Sequence, residues 1–179
     1  MNQKSHSVLG EGLLTGLVGG VIVAVWYLAY DLGRGQVGYT PNLLGQVFVG
    51  RDTMPAVHTI VPQAVAEYSL LHFVLFFLLG IGLVALTHLA SRNPTLRMGV
   101  WLGLVIAFLF VLGHLVMLYS LTGQRFPWLP SLVGSVLGIG SMGWFLWHRH
   151  PGLQGTFREA PLGSEVRPPP HPSSGPPGR

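Results

Sequence analysis

The chain has 179 residues, of which 9% are charged, and its ten Lys and Arg against six Asp and Glu leave a net charge of +4. Ordinary soluble domains carry about 25% charged residues, so this composition excludes a typical soluble domain. The complete lack of cysteine excludes disulfides, thiolate metal sites and thiol nucleophiles. The positive charge comes from scattered arginines with few acids beside them, and no basic patch interleaved with aromatics marks a nucleic-acid surface.

Four apolar runs, at about 8–31, 68–90, 98–119 and 127–147, take up most of the chain. Each supplies the ~20 apolar residues that cover a ~30 Å hydrocarbon core. The expected fold is all-α: a polytopic four-transmembrane-helix bundle over residues 1–150, then a Pro/Gly/Ser-rich tail over 151–179 without the composition of a core. The first run follows Lys4 but is longer than a signal-peptide core, and it ends on bulky residues from Trp26 to Asp31 where a cleavage site needs small ones. It reads as an uncleaved first span.

The loop after it contains Thr40-Pro41-Asn42-Leu43-Leu44-Gly45, then Gly50. Thr40 is a good N-cap, Pro41 a good first helical residue and Gly50 a good left-handed stop. Leu43, Leu44, Val47 and Phe48 fall on one face. A short helix lying on the outer face of the bundle is expected here, followed by an extended stretch between Pro55 and Pro62. Pro62 is placed to open the second long helix ahead of the bilayer.

Small residues recur at three- and four-residue spacing: Gly12, Gly16, Gly20 and Ala24 in the first run, Gly99, Gly103 and Ala107 in the third, and Ser131, Gly134, Ser135 and Gly138 in the fourth. Helices in lipid associate largely through such close-packing faces. They predict a compact bundle, and they also allow self-association or contact with a partner in a membrane complex. Lys and Arg concentrate on cytoplasmic segments. Lys4, Arg92, Arg97 and Arg149 fall on one side and Arg34, Arg51 and Arg125 on the other, so both termini are expected in the cytoplasm.

Ionisable residues inside spans are the best functional leads. His72 and His114 lie at equal distances either side of the turn near Asn93, each about 30 Å from it along a helix, so they share a depth. Asp31 shares a face with Tyr27, Ala24 and Gly20. An outer-side cluster of Asp31, His72 and His114, with Glu67 and Tyr119 nearby, is therefore expected. Four uses fit it: polar bonding between helices, a divalent metal on His72, His114 and Asp31, haem between His72 and His114, or quinone and proton handling. Glu11 reads as an interfacial carboxylate on a face opposite Gly20, and His88 as a surface histidine. No Walker loop, HExxH or GxSxG is present, so no catalytic residue is assigned. The functional expectation is a non-enzymatic subunit or accessory protein of a membrane complex, and the alternative is a small haem- or metal-binding redox protein.

The order Asp31-Leu32, Gly35, Thr40-Pro41, Leu44-Gly45, Gly50, Tyr68, His72-Phe73, Gly80 and His114 resembles a group of bacterial four-helix membrane proteins with a "TPxxLG" segment after the first helix. The likeness covers about residues 10–150. It implies an inner-membrane location and the same architecture, and it carries no assigned activity.

Overall fold

The computed structural model describes residues 8–52, 55–56, 58–92, 109, 112–113, 116–122 and 125–149. Helix α1 spans Val8–Gly33, α2 Tyr39–Phe48, α3 Pro62–Arg92 and α4 Trp128–Arg149. Residues 109, 112–113 and 116–121 are also helical, and no strand occurs among the described residues. Helices α1, α3 and α4 are each long and apolar enough to cross a membrane. At ~1.5 Å per residue, α3 reaches well beyond a ~30 Å core, because Pro62 starts it several residues before its apolar stretch. The third expected span lies mostly outside the described residues, as do His114, Gly99, Gly103 and Ala107, Lys4, Arg97 and the tail.

The glycines decide how the helices pack. Helices α1 and α3 run antiparallel with backbone against backbone. A Cβ at Gly80 would strike the Gly12 carbonyl and the Gly16 backbone, and a Cβ at Gly16 would strike the Phe76 carbonyl. At Gly12 it would lie 2.5 Å from the Ile81 Cα. A neighbouring face of α1 receives α4: Gly19 lies under Met142, and Gly138 under Val23 and Phe76. Met142 is fully buried. The central helix is thus α1, which carries one small-residue face for each neighbour.

Serine and threonine hydroxyls inside the spans are satisfied on their own helices, as a medium without water demands. Thr15 donates to the Glu11 carbonyl at 2.8 Å, Thr87 to Leu83 at 2.8 Å and Ser135 to Ser131 at 2.9 Å. Between α1 and α4 the indole N–H of Trp26 donates to the Pro130 carbonyl at 2.8 Å. The same indole lies 3.0 Å from where a Gly134 Cβ would sit. The Trp26–Pro130 bond locks the two helices together. Large apolar side chains point outward all round, among them Leu70, Leu78, Val136 and Trp144, each more than 60% exposed. That is the surface a lipid-solvated bundle presents.

The α1–α3 seam yields a paired prediction. Gly80→Ala should destabilise the protein by about 1–3 kcal/mol, the usual cost of overpacking. Gly82→Ala, two residues on, has nothing within 4 Å of the added methyl and should be neutral within about 1 kcal/mol. Thermal unfolding of the two variants in the same detergent checks this, and equal behaviour would contradict the seam.

Candidate functional site: a loop clamp and the cavity beneath it

The clamp begins at Asp31, near the end of α1, with 1% of its surface exposed. One carboxylate oxygen accepts from the Thr40 backbone N–H and the other from the Thr40 hydroxyl, both at 2.8 Å. Between them the chain turns through two glycines with positive φ, Gly35 at 68° and Gly38 at 78°. Gly38 is the N-cap of α2. Thr40 was expected to cap α2 with its own side chain, but no side-chain cap bond forms at Gly38. The helix starts earlier because the Asp31 carboxylate already supplies the acceptor for a first-turn N–H, as an external cap.

The opposite end of α2 also departs from expectation. Gly50 is not left-handed; Arg51 is, with φ 52°. The backbone N–H of Gly50 reaches the Gly45 carbonyl at 3.0 Å, and a Cβ on Gly50 would sit 2.8 Å from the Gln46 carbonyl. Crowding therefore explains this glycine.

Helix α2 buries both of its faces. Leu43 and Leu44 are buried, and Leu44 packs with Leu118 and Phe126 against Phe48, Tyr68 and Leu132. The polar residues Asn42 and Gln46 are buried too. One turn apart, they grip the segment that leads into α3. The Asn42 amide donates to the Thr59 carbonyl at 3.1 Å and accepts from the Val61 N–H at 2.9 Å. The Gln46 amide accepts from the Ala56 N–H at 2.7 Å and donates to its carbonyl at 3.3 Å. Gly45 lies so close to the Ala64 carbonyl that a methyl cannot fit between them. Every residue of Thr40-Pro41-Asn42-Leu43-Leu44-Gly45 except Pro41 is thus buried.

Beneath the clamp lies a partly open cavity of about 160 Å³ between α1 and α3. Ala24, Tyr27 and Leu28 line it from α1, Tyr68, His72 and Phe73 from α3, and Gly38, Thr40 and Pro41 close it from above. His72 is half-buried, and its Nε2 lies 3.0 Å from the Gly20 carbonyl of α1. A carbonyl only accepts, so Nε2 carries the proton and Nδ1 is left as the acceptor of the neutral ring. The ring packs on Phe76, with centroids 4.7 Å apart. Around the entrance, Arg34 donates to the Tyr30 hydroxyl at 2.7 Å, and the Tyr39 hydroxyl reaches the Arg125 carbonyl at 3.4 Å. Partial burial pushes Tyr39 up from its ordinary value, so its hydroxyl stays protonated as the donor.

Of the expected cluster, Asp31 and His72 line this one cavity, while His114 lies outside the described residues. Glu67 and Tyr119 are not part of its lining. The Glu67 carboxylate instead accepts from Gln63 one turn back on α3, at 2.8 Å. Among the described residues no group of three or more His, Asp or Glu is placed to hold a metal ion.

A second polar pair sits at the far end of the same two helices. Glu11 is 7% exposed, and its Oε2 is 3.9 Å from the Nε2 of His88. This corrects the reading of Glu11 as an interfacial carboxylate on an outward face. The Glu11–Thr15 edge of α1 is buried beside the Gly12–Gly16 face, so the acid meets α3 instead of water. Sequence spacing missed the pair because the two residues sit on different helices, and their register is set by the glycine contacts of the α1–α3 seam.

No family model, curated protein or solved structure matches the chain.

Two predictions follow from these contacts. Thr40→Val should cost about 1–3 kcal/mol, the range for losing a bond to a buried charged acceptor, and should speed proteolysis within residues 34–61. Thr40→Ser, which keeps the hydroxyl, should restore most of the loss; equal behaviour of the two would refute the clamp. For Glu11 and His88, a double-mutant cycle with Glu11→Gln and His88→Gln should give a coupling of about 0.5 kcal/mol or more, whereas strict additivity would show that the pair does not interact.

Proposed function

We propose that the chain is a four-span integral protein of a bacterial cytoplasmic membrane, serving as a non-enzymatic subunit or accessory protein of a membrane complex. The observation that carries this reading is how its deep polar groups are engaged. Both Asp31 oxygens hold Thr40, and His72 Nε2 holds the Gly20 carbonyl. These are the atoms that a metal or acid–base centre would need, and here they fasten the chain to itself.

The apolar surface supports a partner as well. Only 11% of the central window of α3 is buried. A Cβ at Gly82 on α3, or at Gly140 or Gly143 on α4, would meet nothing within 4 Å among the described residues. A helix of another subunit, or of a second copy, can approach closely at such positions.

Counted along the sequence, Lys4, Arg92, Arg97, Arg149 and Arg158 against Arg34, Arg51 and Arg125 favour cytoplasmic termini. Arg34, Arg51 and Arg125 lie at the clamp end, and Arg92 and Arg149 at the ends of α3 and α4 away from it. In that orientation α2 covers the outer face. The rival reading, a haem or metal protein on His72 and His114, requires His72 to ligate through Nδ1 or to release Gly20.

Blue-native electrophoresis of gently solubilised source membranes is expected to place the chain in an assembly larger than the recombinant protein alone. Migration of both at the same size would refute the subunit reading. A Soret band, or stoichiometric metal lost on His72→Ala, would move the assignment to the rival. A reporter inserted near Arg51 should read external and one fused after Pro151 cytoplasmic; the reverse at both sites would overturn the orientation.

A further inference from the structure

The cavity between α1 and α3 remains after the polar atoms around it have been accounted for. Asp31 is engaged with Thr40, and the Ser69 hydroxyl donates to the Val65 carbonyl at 2.7 Å. On the α3 wall, Tyr68 and His72 keep unused hydrogen-bonding capacity. Among the described residues no hydrogen bond reaches the Tyr68 hydroxyl, and His72 is bound through Nε2, which leaves Nδ1. The walls are otherwise apolar and largely aromatic, with Phe73 meeting the His72 ring edge-on at 5.4 Å between centroids.

Size narrows the occupant. A cavity of about 150 Å³ with apolar walls is known to admit one benzene ring, and this one measures about 160 Å³. Chemistry narrows it further. A saturated acyl chain would leave the Tyr68 hydroxyl and His72 Nδ1 against methylenes, which is unfavourable for each group. A phosphate headgroup would call on Arg34, which does not line the cavity and is held on the Tyr30 hydroxyl. A ring bearing oxygen meets both groups: Tyr68 donates to a ring oxygen, and His72 Nδ1 accepts from a ring hydroxyl. The lid of Gly38, Thr40 and Pro41 caps the cavity at the loop end of the spans, the depth at which amphipathic rings settle in bilayers. The cavity is partly open, which leaves room for an attached chain to leave it.

We propose that this cavity binds the head of a lipid-soluble phenol or quinol, a single six-membered ring with a hydroxyl carried on an apolar chain. The site is independent of the assembly reading above, because its walls come entirely from this chain.

The test uses the full chain in phosphatidylcholine nanodiscs with two probes of the same length, 4-nonylphenol and nonylbenzene, and the retained probe is quantified by mass spectrometry against empty discs. One 4-nonylphenol per chain is expected, about tenfold tighter than nonylbenzene, as one well-placed hydrogen bond provides. Tyr68→Phe should remove most of that difference while leaving nonylbenzene unchanged. Ala24→Leu, which fills the cavity, should abolish retention of both. If Ala24→Leu does not fold, Ala24→Val with its smaller side chain takes its place. Equal retention of the two probes, with displacement by palmitic acid, would show an acyl-chain groove and overturn the proposal. Retention no greater than in empty discs, or a preference for the phenol that survives Tyr68→Phe, would overturn it too.

Discussion

The contact on which the rest of the bundle depends is the touch of two backbones, Gly12 and Gly16 of α1 against Gly80 of α3. Apolar side chains provide no net drive for helices to meet in lipid, so dispersion at close range and a few cross-helix hydrogen bonds must hold them. Each methyl added along this seam would push the helices apart. Their separation in turn decides what happens above it. His72 reaches the Gly20 carbonyl because the two helices are already close at Gly16.

Toward the loop end the side chains on both helices grow, through Ala24, Tyr27 and Leu28 on one and Phe73, His72 and Tyr68 on the other. The helices can no longer touch there, and the space between them becomes the cavity. The loop then has to close what the helices leave open. It does so with a charge: the buried Asp31 carboxylate is stabilised by two short bonds to Thr40, without which burying it in an apolar setting would be strongly unfavourable. Core, cavity and lid are thus successive consequences of side-chain size along one helix pair.

Much of this was legible in the sequence. Length and hydropathy mark the three described spans, the glycine spacing marks the α1–α3 seam, and Leu43 and Leu44 mark the buried face of α2. Asp31 was expected beside His72 because it shares a face with Ala24 and Gly20, and both line the one cavity. The partner of Asp31 was not legible, because Thr40 suits an N-cap as well as a donor to a distant carboxylate, and local spacing cannot tell those roles apart. Asn42 and Gln46 were passed over for a similar reason. On a helical wheel they look like a solvated polar edge, and only the return of residues 56–61 alongside them turns that edge into an interior. The Glu11–His88 proximity depends on helix register, which a sequence does not carry.

The reach of the clamp has a consequence for how the protein is made. Asp31, Thr40, Asn42 and Gln46 find all their partners between residues 31 and 61. The loop can therefore tie itself off as soon as α1, α2 and the start of α3 have been made, before α4 exists. Its apolar side waits longer, since Leu44 packs on Leu118 and Phe126. The first half of the chain sets as a hydrogen-bonded template, and the second half is laid against it mainly by burial, with the Trp26 indole bond to the Pro130 carbonyl added. Substitutions in the clamp should then act early in biogenesis, on whether the hairpin forms in the membrane, whereas those around Phe126 should act late, on whether a hairpin already formed is covered.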